Sequence, residues 1–213
     1  MSDADPPTPP DADPPAPAEH YFSEAPEGPE KPRYVDFTVG NRWLRLEASS
    51  GMFSADRLDP GTAVLLRKAP LPTTEGEYLD LGTGYGPIAC ALAMTAPAAT
   101  VYAVDVNTRA LELVRRNADR LELGVVAGTP DEIPADARFD QIWSNPPIRI
   151  GKTALHELLD RWLPRLKPDG VAWLVVARNL GGDSLQEWLL SRGWRVARHA
   201  SQKGYRVFAV TAG

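Results

Sequence analysis

The sequence predicts an α/β fold built on a doubly wound, mostly parallel β-sheet, and two observations carry this prediction. From Glu77 onward, short apolar runs typical of strands alternate with longer runs typical of helices. Such alternation indicates parallel strands that are joined by helical crossovers. The last two strand-like runs, Trp194–Arg198 and Tyr205–Val210, are joined by a turn at Lys203–Gly204. Because that connection is too short for a helical crossover, we expect this pair to be antiparallel.

The individual elements follow from where apolar residues cluster and where glycine, proline and polar residues interrupt them. The predicted strands that precede the final pair are Tyr78–Leu81, Thr100–Val104, Val125–Ala127, Gln141–Ser144 and Val171–Ala177. The predicted helices of the same region are Pro87–Thr95, Thr108–Leu121, Thr153–Leu166 and Ser184–Leu190.

The segment before this region predicts a small extension rather than a second domain. Two strand-like runs, Tyr34–Val39 and Arg42–Leu46, flank Gly40–Asn41, a dipeptide suited to a tight hairpin turn. Further on, Asp59 can cap a helix that begins at the proline after it. These elements are too few to fold alone, so we expect residues 19–76 to pack on the domain that follows.

Composition limits the classes of protein that fit this chain of 213 residues, which is long enough for one domain with a substantial core. A single cysteine, Cys90, excludes an internal disulfide and a cysteine-based zinc site. The histidines show no metal-ligand spacing, and we expect no metal. No apolar run approaches the roughly 20 residues that span a bilayer, and the N-terminus lacks the apolar segment of a secretory signal. We therefore expect a cytosolic protein without membrane contact.

Charge and proline are concentrated at the N-terminus. Residues 1–32 hold eight acidic residues, one basic residue and ten of the 21 prolines. Residues 1–18 have almost nothing to bury, so we expect a disordered tail there and one domain over residues 19–213. The remainder of the chain carries 22 basic and 20 acidic residues. This mildly basic balance is compatible with a nucleic-acid substrate, and an ordinary solvated surface explains it equally well.

A glycine-rich loop, DLGTGYG at residues 80–86, follows a predicted strand and precedes a predicted helix. Glycines at 82, 84 and 86 allow a tight turn and a close approach of the backbone to a ligand. The spacing is not that of the dinucleotide fingerprint, and no lysine followed by serine or threonine is present to hold phosphates. A nucleoside ligand or a tight turn without a ligand both remain open from this loop alone.

Asp105 ends the next predicted strand. A carboxylate there can accept hydrogen bonds from the two hydroxyl groups of a ribose. The alternative is a turn or helix-cap aspartate ahead of Thr108. Because ligands of doubly wound sheets lie at the carboxyl ends of adjacent strands, Asp105 together with the glycine-rich loop favours a nucleoside site.

The sequence Asn145-Pro146-Pro147-Ile148 follows the strand that we expect beside the first one. Its two prolines fix the backbone and remove two donors. The Asn145 side-chain oxygen and the Pro146 carbonyl can then accept hydrogen bonds from both N–H groups of an exocyclic amino group. That arrangement would aim the nitrogen lone pair at an electrophilic methyl group, with catalysis by positioning and electrostatics. The alternative is a rigid loop after a strand.

These three motifs, DLGTGYG, AVDVN and NPPI, resemble in order and spacing the class I S-adenosylmethionine-dependent methyltransferases that modify amino groups. The flanking segments SSGMFSADRLDPGTAVLL, LKPDGVAWLVVARNLGGDSLQEWL and KGYRVFAV resemble the small-subunit ribosomal RNA guanine-N2 methyltransferases. The resemblance runs from about His20 to the C-terminus.

The resemblance implies a seven-stranded sheet with an antiparallel last strand, S-adenosylmethionine as methyl donor, and a guanine of ribosomal RNA or of the small ribosomal subunit as acceptor. The residues implied to line the cofactor are Asp80, Gly82, Gly84, Tyr85, Gly86, Asp105 and Val106. The implied catalytic residues are Asn145 and Pro146, and the implied substrate contacts are Pro147, Ile148 and Arg149.

The chain departs from the family pattern at two positions, where the best-known members carry phenylalanine and histidine and this chain carries Ile148 and Arg149. We therefore expect target-base recognition to differ from theirs, and Arg149 either contacts a phosphate or simply precedes an exposed helix. Two other acceptors use the same loop chemistry, adenine N6 and the glutamine amide of proteins, although Ile148 stands where glutamine enzymes carry tyrosine. A non-catalytic RNA-binding or cofactor-sensing module is the alternative of another class.

Overall fold

A computed structural model describes residues 32–49, 57–146 and 151–213. The predicted tail, residues 1–18, and the predicted substrate contacts Pro147, Ile148 and Arg149 lie outside the described residues. Within the described ranges, no helix is long and apolar enough to cross a membrane.

The described residues form a two-stranded hairpin followed by alternating strands and helices. The strands are β1 (Pro32–Val39), β2 (Arg42–Ser49), β3 (Glu77–Leu81), β4 (Thr100–Val104), β5 (Val125–Gly128), β6 (Phe139–Ser144), β7 (Leu166–Ala177), β8 (Arg195–Gln202) and β9 (Tyr205–Thr211). The α-helices are α1 (Pro60–Lys68), α2 (Pro87–Thr95), α3 (Thr108–Arg120), α4 (Lys152–Trp162) and α5 (Gly182–Ser191).

Seven strands make the main sheet, in the spatial order β5-β4-β3-β6-β7-β9-β8. Strands β5, β4, β3, β6 and β7 pair in parallel, whereas β9 pairs antiparallel with both β7 and β8. The predicted doubly wound, mostly parallel sheet with an antiparallel final pair is therefore confirmed. The link between β8 and β9 is too short for a helical crossover, so β9 runs antiparallel to β8.

Helices cover both faces of the sheet, and side-chain alternation along the strands divides the core accordingly. In β3, Tyr78 packs into a cluster with helices α1, α2 and α3, whereas the adjacent Leu79 packs into a cluster with α4 and α5. Successive residues of a strand point to opposite faces, so a continuously apolar strand supplies both layers. The interior strands are buried in this way, and they hold the ends that carry the sequence motifs in fixed positions.

The hairpin of β1 and β2 packs against α3 and the glycine-rich loop, and its predicted turn at Gly40–Asn41 is confirmed. Its inner face presents buried Val35 and Leu46. The fully buried Asn117 of α3 binds two of its backbone groups. The Asn117 Oδ1 accepts the amide of Glu47 at 2.7 Å, and the Nδ2 donates to the Glu47 carbonyl at 2.9 Å. Hydrogen bonding of both backbone groups fixes where the hairpin lies on the helix.

Candidate active site

The three sequence motifs meet at one edge of the main sheet. Strand β3 lies between β4 and β6, so the strand order reverses there. In doubly wound sheets, ligands bind in the crevice at the carboxyl ends of the strands where the order reverses. The residues that follow β3, β4 and β6 are the loop Gly82–Gly86, Asp105 and Asn145. The fold thus places all three motifs around the expected ligand crevice.

Glycine is required in the loop because its backbone adopts the left-handed region. The φ angles of Gly82, Gly84 and Gly86 are +74°, +56° and +89°, values that are strained for residues with a side chain. A Cβ atom at position 86 would also lie 3.2 Å from a methyl group of Val114. The Gly82 amide donates to the Val104 carbonyl at 2.8 Å. The loop is therefore a fixed turn that is tied to the end of β4.

Asp80, under this loop, is a fully buried carboxyl with one unpartnered oxygen. Its Oδ2 accepts the Thr83 hydroxyl at 2.6 Å and the Ala89 amide at 2.9 Å. Within the described residues its Oδ1 has no hydrogen-bond partner. Burial raises the pKa of Asp80 to about 7, against the lowering effect of its two hydrogen bonds. A ligand that presents an ammonium or N–H group would supply the missing partner and favour the charged carboxylate.

Asp105 joins the end of β4 to the glycine-rich loop. Its Oδ2 accepts the Gly84 amide at 2.9 Å, and its Oδ1 accepts the Asn107 amide at 3.0 Å. Burial raises the pKa of Asp105, while these backbone hydrogen bonds oppose the rise. Asn107, whose side chain accepts the Arg109 amide at 3.0 Å, is the cap of α3. Asp105 is therefore not the helix cap, although its hydrogen bond from the Asn107 amide confirms the alternative of a turn aspartate. Each carboxylate oxygen retains acceptor capacity for a ligand.

Asn145 lies directly after β6 with its amide group held in one orientation. Its Nδ2 donates to the Asp59 carboxylate at 2.6 Å and to the Thr62 hydroxyl oxygen at 3.0 Å. An ionised carboxylate only accepts hydrogen bonds, so the nitrogen of the amide must face Asp59. The Oδ1 of Asn145 accepts no hydrogen bond from the residues that the structure describes. Among the described residues, the acceptor atom that the sequence motif requires is therefore without a donor.

The backbone around Asn145 is fixed as well. The Ser144 hydroxyl donates to the Leu81 carbonyl at 2.7 Å, which joins the ends of β6 and β3. Pro146 is buried, and its ring prevents the backbone from rotating freely about φ. The site residues contributed by β3 and by β6 therefore keep a constant separation.

Two predicted cofactor residues take positions that the motif alone does not define. The Tyr85 side chain is buried beside Val35 and Leu46 of the hairpin, and its carbonyl accepts a hydrogen bond from Asn117 Nδ2 at 3.0 Å. Burial, together with the negative charge of Asp59, raises the pKa of Tyr85 above its usual value. Tyr85 thus links the glycine-rich loop to the hairpin. Val106, partly exposed after Asp105, lies at the ligand edge of the sheet, and a cofactor contact by either side chain stays a prediction.

Sequence reasoning missed the first turn of α1 as part of the site. Asp59 was predicted only as a helix cap, a role that its hydrogen bond from the Thr62 amide at 2.9 Å confirms. The same carboxylate also reaches Asn145. A Cβ atom on Gly61 would lie 3.0 Å from both Asp59 Oδ1 and a ring carbon of Tyr205. Glycine therefore allows α1 to approach β9 and the end of β6 closely.

A metal site has no support in the described ranges, where no group of three or more histidine, cysteine, aspartate or glutamate side chains could hold an ion. The described residues at this edge supply carboxylates, hydroxyl groups, backbone groups and the oriented amide of Asn145.

Comparison with protein families gives one match, over most of the chain. The family described as methyltransferase small domain matches residues 43–209. This range begins in the hairpin and ends in the last strand, so it includes every described element that contributes to the crevice.

Two kinds of known proteins are similar in sequence to this chain. An uncharacterized protein of Bacillus subtilis, YbxB, is 32% identical over 194 residues, which cover 89% of this chain and 96% of that protein. The ribosomal RNA small subunit methyltransferase C of Aeromonas hydrophila is 35% identical over 128 residues, covering 60% of this chain and 37% of that enzyme. The chain spans less than half the length of the ribosomal RNA methyltransferases that it matches.

Solved structures show the same fold. The 16S rRNA N2 methyltransferase of Thermus thermophilus, in complex with AdoMet and guanosine, superposes with a TM-score of 0.70 at 23% identity, covering 88% of this chain and 52% of that one. A ribosomal protein L11 methylase of Lactobacillus delbrueckii superposes with a TM-score of 0.61 at 18% identity, covering 84% of this chain and 98% of that one. At these identities the likeness shows the fold alone.

Proposed function

Because this chain belongs to the methyltransferase small domain family, we propose that it transfers a methyl group from S-adenosylmethionine to the exocyclic N2 amino group of a guanine in small-subunit ribosomal RNA. The observation that carries this proposal is the Asn145 amide at the ligand edge of the sheet. Its nitrogen is fully engaged by Asp59 and Thr62, and its oxygen is left to accept an N–H bond.

The cofactor crevice fits a nucleoside that carries an amino-acid arm. The unpartnered Oδ1 of Asp80 suits the ammonium group of such an arm. Asp105, beside the glycine-rich loop, has acceptor capacity for the ribose hydroxyls. When bound, S-adenosylmethionine supplies an electrophilic methyl carbon. Val106, which follows Asp105 directly, would lie against the base of the nucleoside.

On the acceptor side, the chain orients a weak nucleophile. The Asn145 Oδ1 and the Pro146 carbonyl accept the two N–H bonds of the target amino group, which directs its lone pair toward the cofactor. As the nitrogen bonds the methyl carbon, the bond between that carbon and the sulfonium sulfur would break, and S-adenosylhomocysteine would leave as the product. The nitrogen gains positive charge in this step, and both oxygens stabilise that charge. The extra proton then leaves to water, so the reaction requires no dedicated base.

Three facts support guanine in ribosomal RNA as the acceptor. The Thermus thermophilus neighbour is a 16S rRNA N2 methyltransferase whose structure holds guanosine. The relatives from Aeromonas and Shewanella are named ribosomal RNA small subunit methyltransferases. The chain beyond residue 32 carries a small excess of basic residues, which suits a polyanionic partner. Adenine N6 and protein glutamine are the other acceptors that this loop chemistry allows.

The test is transfer of labelled methyl from S-adenosylmethionine to four acceptors: small ribosomal subunits lacking the modification, naked ribosomal RNA, DNA and a cell protein extract. We expect label in ribosomal RNA, recovered as N2-methylguanosine. Label that appears only in DNA, in protein or on adenine would refute the guanine assignment. No label anywhere, from protein that still binds the cofactor, would refute the enzyme assignment and favour a binding module.

Asn145→Ala tests the site itself, with Asn41→Ala in the exposed hairpin turn as a matched control. We expect Asn145→Ala to lower kcat by at least about 100-fold, because it removes a preorganised acceptor. The dissociation constant of S-adenosylmethionine should stay within about twofold, and the control should match the native chain. Equal loss of cofactor binding and of methyl transfer would show that Asn145 has a different role.

A further inference from the structure

We propose that Asp59 and Thr62 are positioning residues that fix the Asn145 amide with its oxygen toward the substrate, a role that rests on the proposed function of Asn145 in methyl transfer. Both belong to the start of α1, and they lie 86 and 83 positions before Asn145 in the sequence. The ligand edge would then include a helix that the motifs do not predict.

The hydrogen bonds of the Asn145 amide nitrogen carry this assignment. An amide nitrogen has two hydrogens, and here one points to Asp59 Oδ1 at 2.6 Å and the other to Thr62 Oγ1 at 3.0 Å. No hydrogen remains for a substrate. A rotation of the amide by half a turn would place its oxygen against the Asp59 carboxylate, which has no proton to give. The observed orientation is therefore the one that the surrounding charges impose.

The Asp59 charge also changes what the Asn145 oxygen can do. A hydrogen bond to an ionised acceptor polarises the amide, so the opposite end of the group gains negative charge. That end faces the nitrogen that becomes positive during methyl transfer. The electrostatic field of Asp59 reaches two tyrosines near the site. Burial is the main cause of the raised pKa of Tyr85 and of Tyr205, and the negative charge of Asp59 is the second.

Packing shows that the contact between α1 and Asn145 is built closely. A Cβ atom on Gly61, between the two positioning residues, would lie 3.2 Å from the Asn145 Nδ2. Thr62 is only 4% exposed, so its hydroxyl is not exchanged readily for water. The first turn of α1 and the Asn145 amide are therefore in direct contact, and no side chain could fit between them.

The competing explanation is that Asp59 serves α1 alone. Its Oδ1 accepts both the Thr62 amide at 2.9 Å and the Asn145 amide, so one atom fulfils two roles. A variant of Asp59 alone cannot separate helix capping from the contact with Asn145. A variant of the Thr62 side chain can separate them, because the Thr62 hydroxyl contacts Asn145 while the Thr62 backbone amide completes the helix cap.

Thr62→Val is therefore the first variant, with Thr95→Val as the matched control. In the part of the chain that the structure describes, the Thr95 hydroxyl donates only within its own helix, to the carbonyls of Ala91 and Leu92. We expect Thr62→Val to lower kcat roughly tenfold, the effect of one lost hydrogen bond on the reacting orientation. KM for the RNA and the dissociation constant of S-adenosylmethionine should stay within about twofold. An unchanged kcat with an intact fold would overturn the proposal.

A charge exchange between positions 59 and 145 supplies a second, independent test. Asn145→Asp alone places two carboxylates in contact, and we expect a loss of activity of more than about 100-fold. Adding Asp59→Asn removes that repulsion, so we expect at least tenfold recovery. Asn and Asp cap helices about equally well, so the cap of α1 should survive the exchange. A failure to recover would show that the side chains at positions 59 and 145 do not act on each other, and it would contradict the inference.

A measurement without methyl transfer separates this inference from the proposed function. The two side-chain amide protons of Asn145 can be followed by nuclear magnetic resonance in the cofactor-free protein and identified by their loss in Asn145→Ala. We expect slow exchange for both, and Thr62→Val should accelerate exchange of one proton at least tenfold while Thr95→Val changes neither. Equal exchange in all three proteins would refute the positioning role. A native chain that is inactive toward every acceptor would refute the function and leave this result standing.

Discussion

Replacing Asn117 by alanine should weaken both the fold and the cofactor site. The variant removes the side chain that satisfies the amide and carbonyl of Glu47 and the carbonyl of Tyr85. An unsatisfied buried polar group costs about 1–3 kcal/mol. Glu47 is half-buried, so the low figure applies to its two groups, and a higher figure applies to the buried Tyr85 carbonyl. The free energy of unfolding should therefore fall by about 4 kcal/mol.

The same change should loosen the glycine-rich loop, because Tyr85 lies between its second and third glycines. We expect the dissociation constant of S-adenosylmethionine to rise about tenfold, which corresponds to roughly 1.4 kcal/mol. Urea denaturation measures the stability, and isothermal titration calorimetry, at a temperature where the variant is folded, measures the affinity.

Glu47→Ala is the matched control for Asn117→Ala. It removes the ion pair between Glu47 and Arg116, at 3.1 Å and largely exposed on the arginine, but leaves the backbone groups that Asn117 binds. That pair should contribute at most about 1 kcal/mol. If Asn117→Ala lowers stability but leaves the affinity for S-adenosylmethionine equal to that of the control, the hairpin does not hold the cofactor loop and the reasoning fails.

Two further predictions concern the carboxylates of the proposed cofactor site. Because burial raises the pKa of Asp80 to about 7 from 3.8, the native state binds its proton more tightly than the unfolded chain, and stability is lost as pH rises between those values. The free energy of unfolding of the cofactor-free protein, relative to Asp80→Asn, should fall by roughly 3 kcal/mol from pH 5 to pH 8, and a flat difference would contradict the buried, unpartnered carboxyl. Asp105→Ala should weaken S-adenosylmethionine binding by about 1–3 kcal/mol in calorimetry, and an unchanged dissociation constant would remove Asp105 from the site.

The main sheet could be predicted from the sequence because each interior strand is a short apolar run bounded by a turn or a helix. Parallel strands end at the same edge of a sheet, so residues that directly follow β3, β4 and β6 had to meet. The glycine-rich loop, Asp105 and Asn145 were placed by this rule alone. Their positions directly after parallel strands were enough to predict that they lie at one edge of the sheet.

The contact between Asp59 and Asn145 could not be predicted in the same way. The two residues are 86 positions apart, and an aspartate before a proline is fully explained by its local role as a helix cap. Asn117 was likewise hidden, as one polar residue in a helix with many others. Long-range hydrogen bonds of this kind leave no periodicity in the sequence, because each requires a single residue rather than a pattern.

The start of β7 shows a third kind of difference. The strand begins at Leu166 rather than at the predicted Val171, because Leu166 pairs with Phe139 beside an irregularity in β6. The intervening residues Lys-Pro-Asp-Gly have the composition of a turn. The Lys167 Nζ lies 2.8 Å from Asp140 of the adjacent strand β6 and 3.4 Å from Glu77 of β3, one strand further along the sheet. These ion pairs support the extended backbone there.

The hydrogen bonds between Asn117 of α3 and Glu47 of the hairpin affect the order in which the chain can fold. Glu47 leaves the ribosome 70 residues before Asn117, the side chain that binds its backbone. The two strands can pair as soon as their turn is made, but their apolar inner face is covered in two steps, first by Tyr85 and Cys90 and later by Leu113 of α3. During synthesis the hairpin can therefore complete its packing only after α3 has emerged.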